Sequence, residues 1–108
     1  SAHIDAKAMN VARLSHSHRQ ALVLKQIIAD KDVTALSNTA ADATLTEAVR
    51  QSAIEALSQL GCAEGEGALL QLAGDETIDE DLRKMAWRCI RRSQRIRVKQ
   101  EQRQQDKR

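Results

Sequence analysis

The side chains of this chain that could do chemistry are few, and their spacing does not suit catalysis. His16 and His18 are separated by one residue, whereas helical zinc ligands need the wider spacing of the HExxH pattern. Cys62 is followed by Glu64 and Glu66, whose negative charge opposes formation of a nucleophilic thiolate. We therefore predict no catalytic residue, no metal site and no enzyme activity.

Two further stretches resemble functional loops only superficially. Residues 61–67 read GCAEGEG, which lacks the lysine of a phosphate-binding loop and adds two glutamates that repel phosphate. Residues 75–81 hold five carboxylates, but they surround a predicted helix start, where acidic side chains favour the helix dipole. We expect a loop and a helix N-terminus rather than a cofactor site, although a basic partner could dock on the acidic cluster.

The strongest chemical signal is a division of charge along the chain. Residues 83–108 contain eleven Lys and Arg and two acids, a net charge of +9, while residues 1–82 carry a net charge of −7. Such asymmetry indicates electrostatic binding, to phosphates or to an acidic protein surface, unless the basic face is merely solvated. The candidate binding residues are Arg88, Arg91, Arg92, Arg95, Arg97 and Lys99.

Composition predicts the elements that must position these charges. The 108 residues suffice for one domain, and they include no Pro, Phe or Tyr and a single Trp. Ala, Leu, Gln, Glu, Lys and Arg dominate, which predicts an all-α fold. No apolar run reaches the length of a membrane span, and two cysteines do not make a disulfide framework. We expect reduced cysteines and a cytoplasmic protein without a cofactor.

An internal repeat defines the architecture. Residues 35–57 and 68–90 align without a gap at an offset of 33 residues, and eight of the 23 pairs are identical. Leu24 and Ile27 extend the register backwards more weakly. The pattern predicts six helices in three antiparallel pairs, because one pair cannot bury its own apolar face. The units span about residues 3–31, 32–61 and 63–97 within a domain of residues 3–99.

Local signals mark the helix ends in these units. Asp32 is a predicted N-cap, and Gly61 is a predicted C′ residue. Residues 44–47 read TLTE and residues 77–80 read TIDE, each of which predicts a capping box that begins at the threonine.

The second helices of the two clear units share a further pattern, V-R-x-x-A-x-x-x-L, at residues 49–57 and, with conservative changes, 82–90. Together with Leu36 and Leu69 in the first helices, it resembles the short bacterial HEAT-like repeat over residues 32–92. The resemblance implies a short right-handed α-solenoid that binds other proteins, and less often nucleic acid. It also implies a ladder of hydrogen bonds between turn aspartates and helix arginines, with Asp42, Arg50, Asp75 and Arg83 in structural roles.

Two positions in the last unit carry separate expectations. Trp87 aligns with Ile54, an apolar position, so we expect core or half-buried packing. Residues 100–108 are rich in Gln and basic residues and gain little by packing, so we expect a frayed or disordered end.

The leading functional hypothesis is a non-catalytic interaction module or scaffold that binds another protein, with the acidic body and the basic C-terminal helix as docking surfaces. Pairing of the acidic body of one copy with the basic segment of another, head to tail, is a weaker extension of it. The alternative hypothesis is binding of an RNA or DNA backbone through residues 83–108.

Overall fold

The computed structural model describes residues 16–106, with side chains from His18 onward. This part of the chain contains five α-helices and no strand: α1 His16–Ala29, α2 Val33–Ala41, α3 Glu47–Gln59, α4 Ala63–Gly74 and α5 Glu80–Asp106. Strong helix formers dominate α3 and α5, and no proline interrupts any of the five helices. The all-α class is confirmed, and the first of the six predicted helices falls outside the described residues.

The helices pack as two pairs with α1 against one side. α2 packs most extensively with α3, and α4 with α5, while α3 also lies against α5 and α2 against α4. α1 contacts α2 and α3 in the way that α3 contacts α4 and α5. One continuous apolar core results, in which Leu36, Leu57, Leu69 and Leu82 are almost completely buried.

The repeat of 33 residues is present in the hydrogen bonds of the turns as well as in the sequence. The Asp42 carboxylate accepts hydrogen bonds from the Thr44 N–H at 2.9 Å and the Thr44 hydroxyl at 2.6 Å. Asp75 and Thr77 make the same two bonds at the same distances. Each turn therefore forms the same local structure between the two helices of its pair.

These bonds replace the predicted capping boxes, which were wrong. α3 begins at Glu47 with Thr46 as its N-cap, and the Thr46 hydroxyl accepts from the Val49 N–H at 3.4 Å. Thr44 lies outside the helix because the carboxylate two residues before it captures both of its donors. The predicted N-cap Asp32 is confirmed, since its carboxylate accepts from the Ala35 N–H at 3.0 Å.

The turn bonds make stability depend on acid pH. The Thr77 hydroxyl and N–H lower the pKa of Asp75 below its ordinary value of 3.8. A lowered folded-state pKa adds stability above pH 3.8, and that stability is lost as the pH falls through the folded pKa. We expect Thr77→Val to be less stable than the wild type at neutral pH, with a deficit that shrinks in acid.

Urea unfolding at neutral pH and below pH 3.8 measures this deficit. Thr34→Val is the matched control, because Thr34 is an exposed helical threonine away from both turns. A Thr77→Val deficit that stays constant with pH would show that Asp75 plays no part in the acid dependence.

The last helix is longer than expected. α5 has 27 residues and continues to Asp106, so residues 100–106, for which we expected a frayed or disordered end, are helical. Gln, Glu, Lys and Arg are strong helix formers, and Arg97 adds an ion pair to Glu101, one turn later, at 3.6 Å. Gly61 behaves as the predicted C′ residue of α3, with a φ of 58°.

Candidate binding site

The residues considered for chemistry do not assemble into a reactive site in the described part of the chain. Cys62 is the N-cap of α4, and its sulfur accepts a hydrogen bond from the Gly65 N–H at 3.3 Å. Cys89 is buried, and burial raises the pKa of its thiol, which disfavours the thiolate. Among the described residues no three His, Cys, Asp or Glu side chains converge as metal ligands, and the His16 side chain lies outside them.

The basic residues of α5 form a row along one face of that helix. Arg88, Arg92, Arg95 and Lys99 are spaced by four, three and four residues, which stacks them one turn above another. A groove with a volume of about 390 Å³ lies between this row and α3. Its lining consists of Glu55, Met85, Arg88, Cys89, Arg91, Arg92 and Arg95.

Four of the six predicted binding residues therefore line one groove, and Lys99 extends the row beyond it. The groove arginines are exposed, and none of them forms an ion pair with another described residue. Glu55 is the single carboxylate of the lining. The groove combines several unneutralised positive charges with apolar contacts from Met85 and Cys89.

Arg97 has a different role from the other predicted binding residues. Its guanidinium donates to both carboxylate oxygens of Glu66, at 2.7 and 3.3 Å, and also pairs with Glu101. These carboxylates raise its pKa further, Glu66 being the main cause. Because the Glu66 side chain is only 13 % exposed, this bidentate pair joins the far half of α5 to the start of α4. Arg97 holds the helix in place and is not available to a ligand in the way that its neighbours are.

The four residues assigned to a ladder lie at the turns and the adjoining helices, but their hydrogen bonds go elsewhere. The Arg50 Nε donates to the carbonyl of Ala40 at 2.9 Å, and the Asp42 carboxylate accepts from Thr44. Arg83 has a buried Nε without a hydrogen-bond partner among the described residues. Both arginines help to lower the pKa of the turn aspartates, although the threonine hydrogen bonds contribute more. The structural role of the ladder stays a prediction.

Of the two expectations for Trp87, core or half-buried packing, the core one is wrong. Its side chain is 53 % exposed, whereas Ile54 is 1 % exposed. The difference follows from position in the stack. α3 is covered by the following pair of helices, which bury both Ile54 and Ser58, one turn later. Among the described residues no helix follows α5, so the equivalent face of α5 is open.

None of the described helices combines the length and the apolar character required to cross a membrane. Comparisons with protein-family models, curated proteins and solved structures found no match to this chain.

Proposed function

We propose that this chain is a non-catalytic interaction module that binds an acidic segment of another protein in the groove between α3 and α5. The observation that carries the proposal is the row of exposed arginines, without internal partners in the described residues, beside apolar side chains. Arginine clusters recognise acidic motifs through charge-assisted hydrogen bonds that a planar guanidinium can make in pairs. Met85 and Cys89 provide apolar contacts between those charges.

The proposed architecture is a short right-handed HEAT-like α-solenoid of six helices. The recurrence of the turn bonds after 33 residues supports it, as does the packing of α1 on α3 and of α3 on α5. A rigid stack of this kind suits binding, because it presents α5 as a straight element about 40 Å long. We propose a cytoplasmic location, in keeping with two cysteines that are both free.

An acidic protein segment fits the groove better than a nucleic acid. No aromatic side chain lines the groove, and bases need such platforms for stacking. Trp87 is the only aromatic residue of the chain, and it does not contribute to the lining.

The chain carries an acidic segment of its own, which makes head-to-tail pairing a special case of the proposal. Residues 75–81 hold five carboxylates around the start of α5. Asp79, Glu80 and Asp81 are exposed and could enter the groove of a second copy. Such a contact is heterologous, so it would give chains or rings rather than a closed dimer.

The test is binding of defined probes to the full chain. We expect a synthetic peptide rich in Glu and Leu to bind, and the double variant Arg92→Glu/Arg95→Glu to bind it at least about tenfold more weakly. Lys25→Glu/Lys31→Glu makes the same change in net charge on exposed residues of α1 and the loop after it, so it is the matched control. Isothermal titration calorimetry at low and high salt measures the affinity of the wild type and of both double variants for the peptide.

Other outcomes of the same titration identify the competing functions. Binding of single-stranded DNA or RNA with a steep salt dependence, together with no binding of the peptide, would replace the proposal with nucleic-acid binding. Equal weakening by both double variants would show nonspecific attraction and would overturn the groove as the site. Charge reversal is preferable to truncation at residue 93, which would also remove Ile96 and Arg97 from their contacts with α4 and its preceding loop.

A further inference from the structure

A second face of α5 carries a pattern that the basic groove does not use. Trp87 is 53 % and Val98 is 46 % exposed, although both are large apolar side chains. They belong to a row with alternating spacings of three and four residues, which is the heptad spacing of helices that pack side by side. We call this row the outer face of α5; it consists of Lys84, Trp87, Arg91, Gln94, Val98 and Glu101.

In the preceding repeat, the positions equivalent to this face are covered by other helices. The positions one repeat earlier than Trp87 and Arg91 are Ile54 and Ser58, which α3 buries against the following pair. Leu70 of α4 is 55 % exposed, and the position one repeat earlier, Ser37, lines the crevice between α2 and α4. Trp87 and Leu70 therefore both lie on the open end of the stack.

We propose that the outer face of α5 pairs with the same face of a second copy, the two helices running antiparallel. A partner of the outer face must match it in three respects: the spacing of its residues, its apolar contacts and its charge. When it is paired with itself in one register, the outer face meets the first two conditions along its length and the third at both of its ends. That register has a two-fold axis between residues 92 and 93.

In this register each residue type meets a suitable partner. Trp87 of one copy lies opposite Val98 of the other, and Arg91 lies opposite Gln94. Lys84 lies opposite Glu101, so opposite charges meet at both ends of the seam. Each of the three pairings joins an a position of one helix to a d position of the other, as antiparallel helices require. The two-fold axis repeats each pairing once. A parallel pairing would place Trp87 against Trp87 and Lys84 against Lys84, with like charges in contact.

The pairing leaves the basic groove accessible. Arg88, Arg92 and Lys99 lie on the side of α5 turned away from Trp87 and Val98, while Arg91 and Arg95 stand at the border of the groove and the outer face. The groove and the outer face can therefore be occupied together, and a dimer would display two grooves related by the two-fold axis. The inference does not depend on the proposed function.

Trp87 makes the test direct, because it is the only tryptophan of the chain and lies within the contact, opposite Val98 of the other copy. We expect sedimentation equilibrium to show a monomer–dimer exchange, and tryptophan emission to shift to the blue as the protein concentration rises. Val98→Glu is expected to raise the dimer dissociation constant at least about tenfold and to abolish the shift. Because Val98 is exposed, the thermal unfolding of this variant should resemble that of the wild type under monomeric conditions.

A charge exchange tests the register. Lys84→Glu alone should weaken the dimer, and Lys84→Glu/Glu101→Lys should restore it, while the control Lys25→Glu on α1 leaves it unchanged. A chain that stays monomeric at every concentration would overturn the proposal. So would growth beyond the dimer that Val98→Glu does not affect, which would indicate head-to-tail association. A dimer that the exchange fails to restore would overturn the antiparallel register.

Discussion

Gly61→Ala is expected to lower the free energy of unfolding by about 2–4 kcal/mol. Gly61 has a φ of 58°, a left-handed conformation that costs a residue with a Cβ about 1–2 kcal/mol. The new Cβ would also lie 2.6 Å from the Cγ2 of Ile96, so α5 would have to shift away from the end of α3. Because Arg97 follows Ile96, the shift would strain the ion pair with Glu66 as well.

Gly67→Ala is the matched control for this prediction. Gly67 lies inside α4, and nothing stands within 4 Å of a Cβ built there. Alanine in the interior of a helix is better than glycine by about 0.5–1 kcal/mol, so this variant should be more stable than the wild type. Chemical denaturation measures the change in the free energy of unfolding of each variant, which should be negative for Gly61→Ala and positive for Gly67→Ala. A Gly61→Ala variant as stable as the wild type would show that the loop relaxes without moving α5.

α5 has two faces with different chemistry, and the core decides where each of them lies. Leu82, Ala86, Cys89, Ile90 and Ser93 are buried against α3 and α4, which fixes the rotation of the helix. The groove arginines then fall on one side of this buried stripe, and the outer face falls on the other. The proposed partner binding and the proposed pairing of copies can therefore be tested separately by substitutions on one helix.

Part of this arrangement could be predicted from the sequence because it depends on local residue types. The aligned leucines Leu36 and Leu69 are both buried, since each occupies the same position in its unit. Asp32 caps α2, and Gly61 ends α3, because few residue types satisfy those backbone requirements. The basic residues of α5 were predicted as binding candidates from their charge, and four of them line one groove because helical spacing places them on neighbouring turns.

Other features depend on which elements meet, and sequence patterns did not contain that information. The pair between Glu66 and Arg97 joins residues in different helices, so Arg97 was predicted as one more candidate binding residue. The capping boxes failed because an aspartate two residues upstream offered Thr44 and Thr77 a better acceptor. Trp87 is exposed because burial at its position requires a following pair of helices. Ile54 has such a pair, and the alignment of the two residues does not show whether Trp87 has one.

Arg50→Ala is expected to lower the free energy of unfolding by about 2–4 kcal/mol. Arg50 is only 7 % exposed, which is unusual for a charged side chain, and its Nε donates to the carbonyl of Ala40 at 2.9 Å. That carbonyl belongs to the last turn of α2, where the helix offers it no internal donor. Removing the side chain leaves the carbonyl without its donor and also removes the packing of the aliphatic stem.

Arg83, one repeat later, is the internal control for Arg50. It is less buried than Arg50, and its Nε has no hydrogen-bond partner in the described residues, so Arg83→Ala should cost less, about 1 kcal/mol or below. Arg50→Lys separates charge from geometry, because lysine keeps the charge but cannot reproduce the planar Nε donor. If Arg50→Lys retains full stability, the charge beside Asp42 carries the effect. If it is as unstable as Arg50→Ala, the bond from α3 to the end of α2 is what holds the first pair together.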